Sequence, residues 1–104
     1  MGLNLDEGLI RSIREIGQNY GIERIVLFGS RARGDHKPGS DIDLAVFLMS
    51  DFNGRGHLTS DFDELNMLLK IDVIFINKDL DLKLLENIEK EGVVLYERAN
   101  HKTS

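Results

Sequence analysis

Apolar residues along the chain recur alternately with helical and strand-like spacing. Over residues 5–19 they recur at helical intervals with charged residues between them, which predicts an amphipathic helix that stops before Gly21. Runs of β-branched and aromatic residues at 24–28 and 41–48 predict two strands. The polar stretch between these runs contains the only proline and predicts a short helical turn followed by a loop.

The second half of the chain continues this alternation. Residues 50–56 contain two glycines and an asparagine and predict a loop. The next segment predicts a helix with one buried face, which consists of Leu58, Phe62, Leu65 and Leu69. Residues 71–76 predict a strand, helical spacing up to Gly92 predicts a last helix, and residues 93–96 predict a final short strand.

Strands that alternate with helices in this way predict an α/β (α+β) fold, in which a small mixed β-sheet is flanked by helices around one core. A length of 104 residues fits one domain. We expect this domain to span residues 1–97. The polar residues 98–104 predict a flexible C-terminal tail.

Composition and charge narrow the classes of function. The chain has no cysteine, which excludes disulfide scaffolds, thiolate zinc sites and cysteine nucleophiles. The first twenty residues do not resemble a signal peptide, and no run approaches the roughly 18 apolar residues of a membrane span. We therefore expect a cytoplasmic protein without membrane contact. The net charge of −5 opposes non-specific binding to a phosphate backbone, so we expect no direct nucleic-acid binding.

The candidate chemistry begins with a glycine and a serine that directly follow an apolar strand. At Gly29 the backbone can turn tightly, and Ser30 can cap a helix whose free N–H groups bind an anion. Arg31 and Arg33 add positive charge where a triphosphate could lie. Taken alone, a capped strand-to-helix turn without a ligand is the simpler explanation of this pair.

Three carboxylates provide the second feature. Asp41 and Asp43 are two residues apart on a predicted strand, so their side chains leave the same face roughly 6.5 to 7 Å apart along the chain. Such a pair can share Mg²⁺, which prefers oxygen ligands. A solvated strand edge is the alternative, although apolar residues follow on both faces. Asp72 interrupts the next apolar strand near its start, where it is either a capping residue or a neighbour of the pair.

The combination resembles the polymerase-beta-like nucleotidyltransferase superfamily. The matching positions are Gly29-Ser30, then ten residues, then Asp41-Ile-Asp43, and Asp72 in a later strand. The match spans about residues 22–76. The short length further resembles the minimal nucleotidyltransferases (MNT), which are often paired with a HEPN-domain toxin as its antitoxin.

The resemblance implies that ATP is held at Gly29 and Ser30. It implies that Asp41 and Asp43 bind two Mg²⁺ ions that bridge the phosphates. It also implies that Asp72 completes the second metal site and favours deprotonation of the attacking hydroxyl. The three carboxylates are thus the candidate catalytic and metal-binding residues, and the glycine, the serine and the two nearby arginines are the candidate nucleotide-binding residues.

The implied function is transfer of AMP from ATP to a hydroxyl of a partner protein, expected to be a HEPN-domain RNase toxin that the chain neutralises. The alternative is a non-catalytic antitoxin that masks its toxin and retains the acids without using them. Whether removal of one carboxylate abolishes neutralisation separates the two.

The aromatic and imidazole side chains add little to this site. Tyr20 and Tyr96 could stack on a base, but each adjoins an apolar segment, which favours a packing role. The histidines lack the spacing of metal ligands.

Overall fold

The computed structural model describes residues 5–35, 39, 41–48, 55–65, 70–76 and 82–98. Along these ranges, helices and strands alternate in the order α1 Glu7–Asn19, β1 Ile22–Phe28, α2 Ser30–Arg33, β2 Ile42–Leu48, α3 Arg55–Asp63, β3 Ile71–Ile76, α4 Leu82–Glu91 and β4 Val93–Glu97. Among the helices in these ranges, none has the length and hydropathy needed to cross a membrane.

The four strands form one sheet in the order β3-β2-β1-β4. Strand β1 is antiparallel to both β2 and β4, whereas β2 and β3 are parallel. Parallel neighbours require a crossover connection, and α3 lies in the segment that connects β2 to β3. The predicted α/β (α+β) fold with a small mixed sheet flanked by helices is confirmed.

Each face of the sheet is covered by different helices, because successive side chains of a strand point to opposite faces. Helices α1 and α3 bury one face, where the largest fully buried side chains include Ile13, Leu44 and Phe62. Helix α4 covers the other face, on which Ile88 packs in a cluster with Val26, Ala45 and Phe47. Alternation places Asp43 on this second face, since it lies two residues before Ala45.

Polar contacts fix helix α1. The Asp6 side chain accepts a hydrogen bond from the Leu9 N–H at 3.2 Å and caps the start of the helix. After its end, the Tyr20 hydroxyl donates to Asp61 of α3. Both Tyr20 and Tyr96 are partly buried against the core, which confirms that they are packing residues.

Two element boundaries differ from the predictions. Helix α3 begins at Arg55, inside the predicted loop, and ends at Asp63, so Leu65 lies beyond it. Tertiary packing explains the start, since most helical stability comes from an anchored apolar face and both Leu58 and Phe62 are fully buried. The predicted continuation to Leu69 lies outside the described residues.

The boundary of the C-terminal tail also shifts. Arg98, which composition places in the flexible tail, donates its backbone N–H to the Glu23 carbonyl at 2.9 Å. Its guanidinium donates to the carbonyls of Ile22 and Tyr20 at 3.2 and 3.0 Å. These bonds attach Arg98 to the start of β1. Residues 99–104 lie outside the described ranges, so their flexibility stays a prediction.

Candidate active site

The glycine turn and the aspartate pair meet because β1 and β2 are antiparallel neighbours. Phe28 pairs with Asp43 across the two strands, so Gly29, the next residue, lies against the Asp43 carboxylate. The φ angle of Gly29 is 79°, a conformation that favours glycine. A Cβ atom at this position would overlap Oδ2 of Asp43. Both the backbone conformation and the close approach therefore require glycine here.

Parallel pairing of β2 with β3 brings in the third acid. Asp72 is the direct register partner of Asp43, which confirms that the neighbouring strand places it alongside the pair. Asp41 immediately precedes β2, whose first residue is Ile42. The prediction that both aspartates lie within the strand is therefore wrong for Asp41, although all three acids are at the same end of the two strands.

Negative charge accumulates around Asp43. Its pKa is raised first by burial, then by the nearby charges of Asp72 and Asp41, and the charge of Arg33 opposes this shift. The charges of Asp72 and Asp41 thus act on Asp43, and a bound cation would relieve this repulsion.

The donor set fits Mg²⁺, although the protein alone does not complete a site. Within the described ranges, no three acidic or histidine side chains are arranged closely enough to hold a metal ion. Mg²⁺ commonly takes only one or two carboxylates from a protein and fills its remaining positions with water and substrate phosphates. The repulsion that raises the pKa of Asp43 gives a cation a further electrostatic advantage here.

Helix α2 corrects the expected role of Ser30. Gly29 is the N-cap residue, with no side-chain capping bond, and Ser30 is the first residue of the helix, so the prediction of a serine cap is wrong. The backbone N–H groups of Ala32 and Arg33 both donate to the Gly29 carbonyl at 3.1 Å. These two donors are used within the turn. A contact from Ser30 to a nucleotide stays a prediction.

The two arginines of α2 occupy different environments. Arg31 is buried, with 6% of its surface exposed. Arg33 is exposed and forms ion pairs with Asp35 at 3.1 Å and with Glu91 of α4 at 3.3 Å. Hydrogen bonds to these two acids raise the pKa of Arg33, the one to Asp35 most strongly. Because Arg33 also lowers the pKa of Asp43, it is better placed than Arg31 to meet a phosphate beside the acids.

Two residues that were not predicted from the sequence form ion pairs with candidate site residues. The Lys70 ammonium lies 3.5 Å from Oδ1 of Asp72, and Glu91 pairs with Arg33. The sequence contains a signal for Lys70, because a residue two positions before Asp72 in an extended chain lies on the same face. It contains none for Glu91, which reaches α2 only through the packing of α4.

Comparisons with known proteins identify the family of the chain. The family described as "Polymerase beta, Nucleotidyltransferase" matches residues 11–101. "Putative protein adenylyltransferase MJ0604" of Methanocaldococcus jannaschii is 34% identical over 84 residues, which cover 72% of this chain and 79% of that protein.

Solved structures share the fold. A chain of the crystal structure of a toxin-antitoxin with AMP-PNP has a TM-score of 0.69 at 20% identity, and the match covers 86% of this chain and 73% of that one. A chain of the tri-AMPylated Shewanella oneidensis HEPN toxin in complex with its MNT antitoxin has a TM-score of 0.65 at 17% identity, covering 90% and 74%. The resemblance inferred from the motif is confirmed, and the chain belongs to the polymerase beta nucleotidyltransferase family.

Proposed function

We propose that the chain is a Mg²⁺-dependent protein adenylyltransferase that transfers AMP from ATP to a hydroxyl of a partner protein. The observation that carries this proposal is the sheet register, which places Asp72 beside Asp43 while the Gly29 turn packs against the same carboxylate. Nucleotidyl transfer requires a backbone turn that can bind phosphates and acidic side chains that can bind metal ions. The Gly29 turn and the aspartates, which belong to adjacent strands, are candidates for these two parts.

The nucleotide would lie at the glycine turn. Gly29 and Ser30 would face the triphosphate, and Arg33 would exchange its exposed acidic partners for a phosphate. Such an exchange costs little, because exposed ion pairs contribute little to stability. Arg31 is the weaker candidate for this contact, since its side chain is buried.

The acids would act on the other side of the phosphates. Asp41, Asp43 and Asp72 would hold two Mg²⁺ ions, which when bound neutralise phosphate charge and lower the pKa of a nearby hydroxyl. Asp72 has 41% of its side chain exposed, so a hydroxyl from another protein can reach it and lose its proton there. The hydroxyl oxygen attacks the α-phosphorus, the bond to the β-phosphate breaks, and pyrophosphate leaves while AMP stays on the acceptor.

We propose a HEPN-domain toxin as the partner and the cytoplasm as the place of the reaction. The support comes from the relative named "Putative protein adenylyltransferase MJ0604" and from a solved structure of the same fold, which is a complex of a tri-AMPylated HEPN toxin with an MNT antitoxin. The chain would then act as the antitoxin, with AMP transfer as its means of neutralisation.

The test uses ATP that is labelled at either the α- or the γ-phosphate. The purified chain is incubated with Mg²⁺ and with the separately purified HEPN-domain protein proposed as its partner. We expect the α-label on the partner and the γ-label in released pyrophosphate. Asp43→Asn should abolish this labelling, and Asp63→Asn, which removes an exposed carboxylate of α3, should not. Transfer of the γ-label would indicate phosphorylation and overturn the proposal, as would a partner that acquires neither label.

A further inference from the structure

Lys70 contacts both strands that carry the acids. Its backbone carbonyl accepts a hydrogen bond at 2.9 Å from the N–H of Ile42, the residue between Asp41 and Asp43. Its ammonium lies 3.5 Å from Oδ1 of Asp72. Because Ile42 pairs with Ile71 across the parallel strands, Lys70 stands level with Asp41 at the edge of the candidate active site.

The Lys70 ammonium forms an ion pair with Asp72, a carboxylate of the candidate active site. Among the ion pairs of the described residues, the one that includes an active-site carboxylate joins Lys70 to Asp72. Arg33, whose charge acts on Asp43, forms ion pairs with Asp35 and Glu91 instead. The Lys70 side chain is 72% exposed, so solvent and ions can reach the pair.

We propose that Lys70 is a positioning residue that holds the Asp72 carboxylate in the metal-free protein and releases it when a divalent cation binds. The inference rests on the proposed function in one respect, which is that Asp72 is a ligand of the cation. An ammonium and a divalent cation cannot both neutralise the same carboxylate oxygen at full strength, so they compete. An exposed pair is weak enough to be displaced, which limits the competition to about a two- to fivefold effect on cation affinity.

The test is a calorimetric titration of the whole chain with Mn²⁺ alone, without ATP or partner. Lys70→Met should bind Mn²⁺ about two to five times more tightly than the unmodified protein. Lys70→Arg should restore the original affinity because it keeps the charge. Lys90→Met removes the same charge from an exposed position of α4 and should leave the affinity unchanged. Thermal unfolding checks that each variant is folded, and none of the substitutions removes the Lys70 backbone carbonyl that accepts from Ile42.

A second pair of variants tests whether Lys70 changes Mn²⁺ affinity through Asp72. In an Asp72→Asn background, Lys70→Met should give no gain, because the carboxylate for which the two cations compete is gone. The inference is overturned if Lys70→Met binds Mn²⁺ no more tightly than the unmodified chain, including the case in which neither binds. It is also overturned if the gain persists without Asp72 or if Lys90→Met produces an equal gain.

These outcomes are independent of nucleotide transfer. A gain at Lys70 in a chain that never transfers AMP supports the inference and contradicts the proposed function. Transfer of AMP by a chain whose Lys70→Met variant gains no Mn²⁺ affinity supports the proposed function and contradicts the inference.

Discussion

At the scale of single residues, Asp43 is subject to the most constraints. Its carboxylate lies against Gly29 and beside Asp72, and the charge of Arg33 acts on it. Partial burial and two neighbouring acids raise its pKa, which means that the folded protein resists the ionised form of this side chain. The same negative charge that would attract a cation therefore opposes folding when no cation is present.

Asp43→Asn should stabilise the metal-free protein at neutral pH. A folded-state pKa above the ordinary value of 3.8 means that the folded state binds the proton more tightly, so stability is greatest below that value and falls as the pH rises through the raised pKa. Asparagine carries no charge and avoids this loss. Thermal unfolding in the presence of a chelator should show a higher melting temperature for the variant at neutral pH, and the difference should shrink at acidic pH.

Asp63→Asn is the control for this measurement, since Asp63 is exposed on α3. It should change the melting temperature little at any pH. An Asp43→Asn protein that melts below the unmodified chain at neutral pH would contradict the electrostatic account of the site.

Asp72→Asn should separate binding from transfer. In the proposed mechanism the third acid serves the acceptor, so ATP affinity in Mg²⁺ should remain within a few-fold, while the rate of AMP transfer should fall by about 100-fold or more. Calorimetry measures the first quantity, and pyrophosphate release with the partner measures the second.

The double variant Asp41→Asn with Asp43→Asn provides the contrast, since it should lose Mg²⁺-dependent ATP affinity itself. An Asp72→Asn protein with near-normal transfer would remove Asp72 from the catalytic group.

At the scale of elements, the spacing of apolar residues predicted the bounds of a helix or strand well where one periodicity extended over the whole segment. Helix α1 and strand β2 lie within about two residues of their predicted bounds for this reason. The start of α3 was not predictable, because burial of Leu58 and Phe62 outweighs the local preference of Gly56 for a loop. Arg98 was misassigned since its partners are backbone carbonyls more than 70 residues away, which composition does not reveal.

Close packing of α1 on β4 makes Gly17 sensitive to substitution. A Cβ atom at Gly17 would lie 2.6 Å from Cδ2 of the Tyr96 ring. Gly17→Ala should therefore destabilise the fold by about 1–3 kcal/mol despite the helix propensity of alanine. Chemical denaturation measures the free energy of unfolding directly.

Gly56→Ala is the matched control, because an added Cβ in α3 meets open space. It should be neutral or stabilise the protein by up to about 1 kcal/mol. Equal effects of the two substitutions would contradict the described packing of α1 against Tyr96.

At the scale of the whole molecule, the sheet order converts distant segments into one site. Spacing located the turn and the acid pair in the sequence, whereas the strand pattern left Asp72 as either a capping residue or a neighbour of the pair, and only the resemblance joined the three features. Sequence could not distinguish Arg31 from Arg33, since only the packed structure shows that one is buried and the other pairs with Glu91. The contacts that depend on tertiary packing were therefore the part of the candidate site that could not be predicted from the sequence.

The most direct test of the central claim is the intact mass of the proposed partner toxin after co-expression in cells. With the unmodified chain, we expect the HEPN-domain protein to be neutralised and to gain one or more AMP units. With Asp43→Asn, which we expect to keep the fold, the toxin should remain unmodified and active, whereas Asp63→Asn should behave like the unmodified chain. A toxin that is neutralised without any change in mass would contradict the catalytic account and support an antitoxin that masks its partner.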